Sequence, residues 1–317
     1  MRRLRFAWLA ATLALTAACG NTTGTADRAS LPLLTSLPVT TAVAVTSTSS
    51  TTTTSPPTTT VTTVAPTATP TTVDPNQPPS IDAAAYAVYD VGSQHWLADL
   101  DADTARPVGS LMKLLTAYVV MQAGDPAHVA TVPAMHMDPA ESAIGLYEGQ
   151  RLSRAVLLRA ELIVSANDAA HTLALDVGGT EEAFVGMMND AAQTLGMTQT
   201  VAVNPVGLDA DGAHSSARDM VAIATILMQD PTFQATVART DAQMNGQHFS
   251  STNKLLTRYE GATGVKTGHT TNAGYCLVGA ATRDGGSVIV AVLGAPSDQA
   301  RVDGATALLD WAFDHQP

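Results

Sequence analysis

Three short groups of residues carry side chains suited to acyl transfer: Ser110-Leu111-Met112-Lys113, Ser165-Ala166-Asn167 and Lys266-Thr267-Gly268. A serine hydroxyl is a weak nucleophile until a base takes its proton. Ser110 and Lys113 are three positions apart and on a helix would face the same way. Lys113 can serve as the base only if burial or nearby cations lower its pKa. Its neighbours Leu111, Met112, Leu114 and Leu115 favour burial over a solvated face. In the first turn of a helix, Ser110 would also meet the free N–H groups and dipole that stabilise negative charge.

In the second group, the Ser165 hydroxyl can relay a proton between Lys113 and a leaving nitrogen. Asn167 can hydrogen-bond a substrate carbonyl and help position Lys113. The plainer alternative is a turn between helices with Asn167 as a cap. The third group, with His269 and Thr270, reads as an edge strand. There Lys266 would add positive potential and Thr267 could bind a terminal carboxylate. Gly268, lacking Cβ, would let an extended peptide lie along the edge. The backbone N–H of His269, with that of Ser110, would form an oxyanion hole. A lysine guarding a sheet edge is the alternative for Lys266.

The elements that must position these groups can be read from apolar spacing and turn residues. Ala85 to Asp90 and His95 to Asp99 read as a hairpin across Val91-Gly92-Ser93. Leu111, Leu114, Leu115, Tyr118 and Val119 mark the buried face of a helix running from Ser110 to Gln122. From Ser153 to about Gln229 the pattern is mainly helical, with Thr180 as an N-cap. Strands return at Gly274 to Thr282 and Ser287 to Leu293, joined by a turn at Arg283-Asp284-Gly285-Gly286, and a last helix runs from Ser297 to about Phe313. The fold class is therefore α+β: an antiparallel sheet flanked by helices, with a mainly helical inserted subdomain.

Composition assigns the N-terminal quarter to other work. Met1-Arg2-Arg3-Leu4-Arg5 followed by an apolar run from Phe6 to Ala18 reads as an export leader, residues 1–19. Residues 20–80 are dominated by Thr, Ser and Pro and read as a disordered tether. With about 60 residues such a coil would reach about 45 Å. Residues 81–317 form the catalytic domain. The formal charge is -12; loss of the leader arginines takes the mature chain to about -15. That charge excludes nucleic acid and anionic lipid surfaces as partners. The two cysteines are Cys19 and Cys276. No disulfide is expected if Cys19 is processed, and Cys276 in its apolar setting reads as an inert core residue. None of the eight histidines makes a His-Glu-x-x-His pattern, so neither a metal nor another cofactor is expected.

Taken in order, the three groups resemble those of the serine-type D-alanyl-D-alanine carboxypeptidases, the low-molecular-mass penicillin-binding proteins. The resemblance extends to Gly207-Leu208-Asp209-Ala210, Ser215-Ser216-Ala217-Arg218-Asp219-Met220, Thr252-Asn253-Lys254-Leu255-Leu256 and Ala273-Gly274-Tyr275. It implies a β-lactamase/transpeptidase-like fold and a serine acyl-enzyme. The substrate implied is a peptidoglycan stem peptide ending in D-Ala-D-Ala, and β-lactam antibiotics would acylate Ser110. It also implies that Arg301 is a second carboxylate-binding group beside Thr267. Departures are Met112 and Gly109, where the family usually has Thr and Ala, and Thr271, where Asp is common. The same residues would serve a D,D-endopeptidase acting on cross-links. A β-lactamase needs an acidic residue near Thr198 to Asn204, and that stretch has none; a wall-binding protein with a spent site is the remaining alternative. Leu15-Thr16-Ala17-Ala18-Cys19 resembles a lipobox with Leu one place too early, which makes Cys19 a candidate lipidation site and the only expected link to a membrane.

Overall fold

The computed structural model describes residues 76–244 and 246–316. The leader, Cys19 and nearly all of the tether lie outside the described residues.

β1 (Ala85–Asp90) and β2 (His95–Leu100) form the first hairpin. Its turn is closed by the Asp90 carboxylate, which accepts from Gly92 N at 3.0 Å and Ser93 Oγ at 2.6 Å. The chain then enters the helical insert. A 3-10 turn at Gly109–Met112 leads into α1 (Lys113–Gln122). The short strands β3 (Val129–Thr131) and β4 (Arg151–Ser153) pair with each other. α2 (Arg154–Ile163), α3 (Asn167–Gly178) and α4 (Glu181–Thr194) follow. Next come α5 (Ala217–Leu227) and α6 (Pro231–Val237). A small hairpin of β5 (Asp241–Met244) and β6 (Gln247–Ser250) and the single turn α7 (Leu255–Arg258) complete the insert. The chain returns to the sheet with β7 (Ala262–Thr270), β8 (Gly274–Arg283) and β9 (Gly286–Ala295), and closes with α8 (Asp298–Asp314).

The main sheet has five strands in the order β2-β1-β9-β8-β7, and every neighbouring pair is antiparallel. Strand alternation divides the core in two. Ala85, Ala87, Cys276, Val278, Ile289 and Ala291 face the helical insert. Tyr86, Val88, Leu277, Val288, Val290 and Val292 face α8, which supplies Val302, Ala305, Leu308 and Leu309. The near-continuous apolar runs in β8 and β9 follow from this burial on both sides. β7 is left as an edge strand. Its Lys266 and Gly268 stand opposite Val278 and Cys276, on the side of the insert.

The helices begin where a side chain can take over a free N–H. Ser153, Thr180, Ser216, Asp230 and Ser297 each accept from a backbone amide of their own first turn. One boundary differs from the sequence pattern. The helix expected from Ser110 opens as a tighter 3-10 turn, and the α-helix starts at Lys113. Gly109, at φ +56°, turns the chain sharply, and Leu111 N bonds back to Val108 O at 3.3 Å. The β3–β4 pair, the β5–β6 hairpin, α6 and α7 are not legible in the sequence; each is too short to show a period.

The caps give a test of this account. Ser216 Oγ accepts from Asp219 N at 3.1 Å. Ser216→Ala should lower unfolding free energy by about 1 kcal/mol, read as a lower urea midpoint with an unchanged m-value.

Candidate active site

Ser110 lies on the 3-10 turn, and the Nζ of Lys113 stands 2.8 Å from its Oγ. Lys113 is fully buried. Its amine also donates to the carbonyl of Val206 at 2.8 Å. Burial is the main force on this group and brings its pKa down to about 7, against the opposing pull of the Glu161 and Glu141 carboxylates. An amine with a pKa near neutrality is unprotonated in a substantial share of molecules and can accept the hydroxyl proton of Ser110. The Val206 carbonyl is held by a loop that Asn204 organises: its Oδ1 accepts from the amides of Val206, Gly207 and Leu208. Thr116 Oγ1 anchors the same loop to α1 through Pro205 O, at 2.7 Å.

Ser165 occupies the turn between α2 and α3 at φ +66°, a left-handed conformation uncommon for serine. Its hydroxyl takes a hydrogen bond from Lys266 Nζ at 2.9 Å, and that amine also donates to Thr267 O at 2.8 Å. The sequence pattern paired Ser165 with Lys113. The structure instead makes two separate lysine–serine pairs, Lys113 with Ser110 and Lys266 with Ser165. Burial lowers the pKa of Lys266 well below the usual value, and Lys113 and Arg301 push it further down while Glu161 opposes them.

Asn167 sits on the first turn of α3. Its Nδ2 donates to Glu141 Oε2 at 2.5 Å, and its Oδ1 is buried with no partner among the described residues. The loop carrying Glu141 is clamped by Asp168, which accepts from the amides of Ile144 and Leu146.

Two expectations about the third group change. A Cβ at Gly268 would come within 2.4 Å of Val108 O and 3.0 Å of Leu111 N. The missing side chain therefore serves the close approach of β7 to the turn bearing Ser110. Gly109 and Gly207 do the same: a Cβ at Gly109 would meet His269 N at 2.8 Å, and one at Gly207 would meet Gly109 O at 2.1 Å. The first of these contacts sets the His269 amide beside the nucleophile's turn, where an oxyanion hole would need it. The His269 ring lies tilted against that of Tyr275, with centroids 4.1 Å apart. Arg301, from α8, is the second change. Its Nη1 donates to Gly268 O at 2.9 Å and Cys276 O at 3.0 Å, while Nε and Nη2 both bond Asp298 Oδ1. A guanidinium has five N–H groups, so one remains to meet a carboxylate and the rest brace β7 against α8.

A cleft of about 470 Å³ joins these groups. Ser110, Ser165, Asn167, Thr267, Gly268, His269 and Arg301 all line it. Lys113 and Lys266 lie behind its wall and reach it only through the two serine hydroxyls. Another cavity of similar volume, between β9 and α6, carries no acid, amine or imidazole. Three residues of the site escaped the sequence reading. Thr252 Oγ1 lies 2.7 Å from Thr267 Oγ1 and lines the cleft, as does Glu141. Glu161, on α2, is fully buried and interacts with both lysines. Its four-residue spacing from Leu157 on an apolar helix was the available signal for its burial. Among the described residues no cluster of acidic, His and Cys side chains could hold a metal ion.

Comparison with known proteins identifies a family. The family model described as D-alanyl-D-alanine carboxypeptidase matches residues 71–297. The D-alanyl-D-alanine carboxypeptidase DacC of Escherichia coli is 36% identical over 253 residues, which cover 75% of this chain and 62% of that relative. The chain thus spans less than two thirds of that relative's length. The crystal structure of a D-alanyl-D-alanine carboxypeptidase from Mycobacterium tuberculosis superposes with a TM-score of 0.71 at 34% identity, covering 76% of this chain and 94% of that one. A penicillin-binding protein of Listeria monocytogenes in its cefotaxime-bound form gives 0.68 at 33% identity, covering 75% and 100%.

The glycine contacts can be tested directly. Gly268→Ala should cost about 1–3 kcal/mol through overpacking, seen as a lower thermal or urea midpoint. Gly186→Ala is the control: it lies within α4 with nothing inside 4 Å of the added Cβ. That change should stabilise by up to about 1 kcal/mol.

Proposed function

The chain belongs to the D-alanyl-D-alanine carboxypeptidase family, and on that premise we propose that it removes the terminal D-Ala from peptidoglycan stem peptides through an acyl-enzyme on Ser110. The observation that carries this reading is the buried Lys113 amine 2.8 Å from Ser110 Oγ, at the wall of an open cleft. Lys113 takes the hydroxyl proton as Oγ bonds to the carbonyl carbon of the penultimate D-Ala. The oxyanion is met by the amides of Ser110 and His269. As the intermediate collapses, the peptide C–N bond breaks and the leaving amine takes the proton that Lys113 accepted, passed on through the Ser165 hydroxyl, which Lys266 holds in place. Water then cleaves the ester: its oxygen bonds to the acyl carbon, Lys113 takes a proton from it, and that proton restores the Ser110 hydroxyl. Asn167 orients the substrate peptide. Thr267, backed by Thr252, and the remaining N–H of Arg301 receive the terminal carboxylate, with Lys266 supplying positive potential behind them.

A β-lactam presents a strained amide and a carboxylate to the same groups, so the site should be acylated by penicillins; the cefotaxime-bound relative supports this. The leader and Thr/Ser/Pro-rich tether ahead of the catalytic domain support action outside the cytoplasm, at the membrane face or in the wall, with Cys19 as the candidate lipid anchor. No helix among the described residues is long and apolar enough to cross a membrane.

A fluorescent penicillin should label the wild type covalently and leave Ser110→Ala unlabelled. Equal labelling of the two would remove Ser110 as nucleophile. Free D-Ala should appear from a synthetic pentapeptide ending in D-Ala-D-Ala, and its absence would reject carboxypeptidase action. The acylation rate has a required pH dependence. Lys113 is a base only when unprotonated and its pKa is about 7, so the rate should level off above that pH. Below it the rate should fall about tenfold per pH unit.

A further inference from the structure

Glu161 is a buried acid that the mechanism above does not use. It is fully buried in the last turn of α2, four residues before Ser165. Neither of its carboxyl oxygens has a hydrogen-bond partner among the described residues. The other buried carboxylates among the described residues, Asp90, Asp168 and Asp219, all accept from backbone amides. A carboxylate without such partners is costly. The C-terminal end of a helix adds to the cost, because the dipole there is negative. Leucine would fill the position at no such cost. What Glu161 does have is two neighbouring buried amines, Lys113 and Lys266, which attract it.

The charge arithmetic of the site explains the position. The reaction needs Lys113 neutral and Lys266 charged. Two ammonium groups in one dry pocket repel, and nothing else buried there balances them. With Glu161 ionised, Lys266 charged and Lys113 neutral, the trio carries no net charge. When Lys113 takes the Ser110 proton, its new positive charge is matched by the oxyanion in the cleft. We propose that Glu161 is a positioning residue whose carboxyl group is the buried counter-charge of Lys113 and Lys266, so that the three groups titrate as one unit. Strong coupling of this kind gives macroscopic steps that belong to the cluster. Burial raises the Glu161 pKa to about 8, against the pull of both lysines, and lowers that of Lys113 to about 7, so acid and amine share a proton near neutrality and Glu161 ionises as a lysine takes up charge.

Other charges near α2 are engaged elsewhere. The elements packed on it are α1, α3, α6, β4 and β5. On α3, Asp168 is held by the amides of Ile144 and Leu146, His171 by Glu181, and Asp176 by Arg154. Arg151 of β4 and Asp241 of β5 are exposed, Tyr118 of α1 is partly exposed, and α6 carries no charge. Two further charges act on the lysines rather than on Glu161: Glu141 on Lys113 and Arg301 on Lys266.

The inference rests on the acyl-transfer reading for its purpose but can be tested without turnover. The chain has three lysines, Lys113, Lys254 and Lys266, so side-chain NMR of labelled lysine resolves each titration. Lys254, exposed and paired with Asp298, is an internal control. In Glu161→Gln the Lys113 and Lys266 titrations should both move to lower pH, by roughly one unit, with Lys254 unmoved. The acid limb of penicillin acylation should move down by the same amount, whereas a merely structural role would lower the rate without shifting the limb. Superimposable lysine titrations in variant and wild type would overturn the proposal. If Glu161→Gln does not fold, the Glu161 carboxyl carbon of the unaltered protein decides the question. It should respond at the same pH values as the two lysines, and indifference at those steps would reject the coupling. A wild type that resists labelling would defeat the acyl-transfer reading alone, leaving this inference to the spectra.

Discussion

Two amines buried within reach of one another are the constraint around which this molecule is organised. Each would prefer water, and Lys113 disfavours a charge on Lys266. The fold holds them there by giving each an oxygen on either side. Lys113 lies between Ser110 and the Val206 carbonyl, and Lys266 between Ser165 and the Thr267 carbonyl. Burial supplies the lowered basicity that a proton acceptor needs, and the hydroxyl partners turn that property toward the cleft.

The parts converge from distant places in the chain. The sheet supplies a fixed edge, and α1 and the turn before α3 are brought against it from the helical insert. Arg301 ties that edge to α8 through the carbonyls of Gly268 and Cys276. The opposite wall is a loop held by Asp168 and joined to Asn167 through Glu141. The residues of the cleft thus hang on regular elements and on the tight turns beside them, and the pieces that close the cleft are loops pinned by side-chain acceptors.

Much of this was legible in the residues themselves. Periodicity marks α1 and the long strands because burial on one or both faces leaves a repeating record, and the Ser and Thr caps mark where helices begin. The three reactive groups stand out because their side chains make chemical sense together. What the sequence could not show was which lysine meets which serine. That depends on where β7 docks, a tertiary outcome with no local signature. Arg301 was legible as a cation, but its four bonds to backbone and Asp298 depend on how α8 crosses the sheet. Glu161 shares the inward face of α2 with Leu157, four residues before it, but a charged residue type hides that signal until the packing is seen.

The contacts of Gly109, Gly207 and Gly268 are made by main chain lying on main chain. No rotamer intervenes between the strand, the loop and the turn that carries Ser110. The position of the Ser110 backbone is therefore written in the polypeptide's path, and no side-chain flip elsewhere can relocate it. Widening the cleft at this end would require shifting a whole hydrogen-bonded strand, so local breathing of the site is tied to the integrity of the sheet itself.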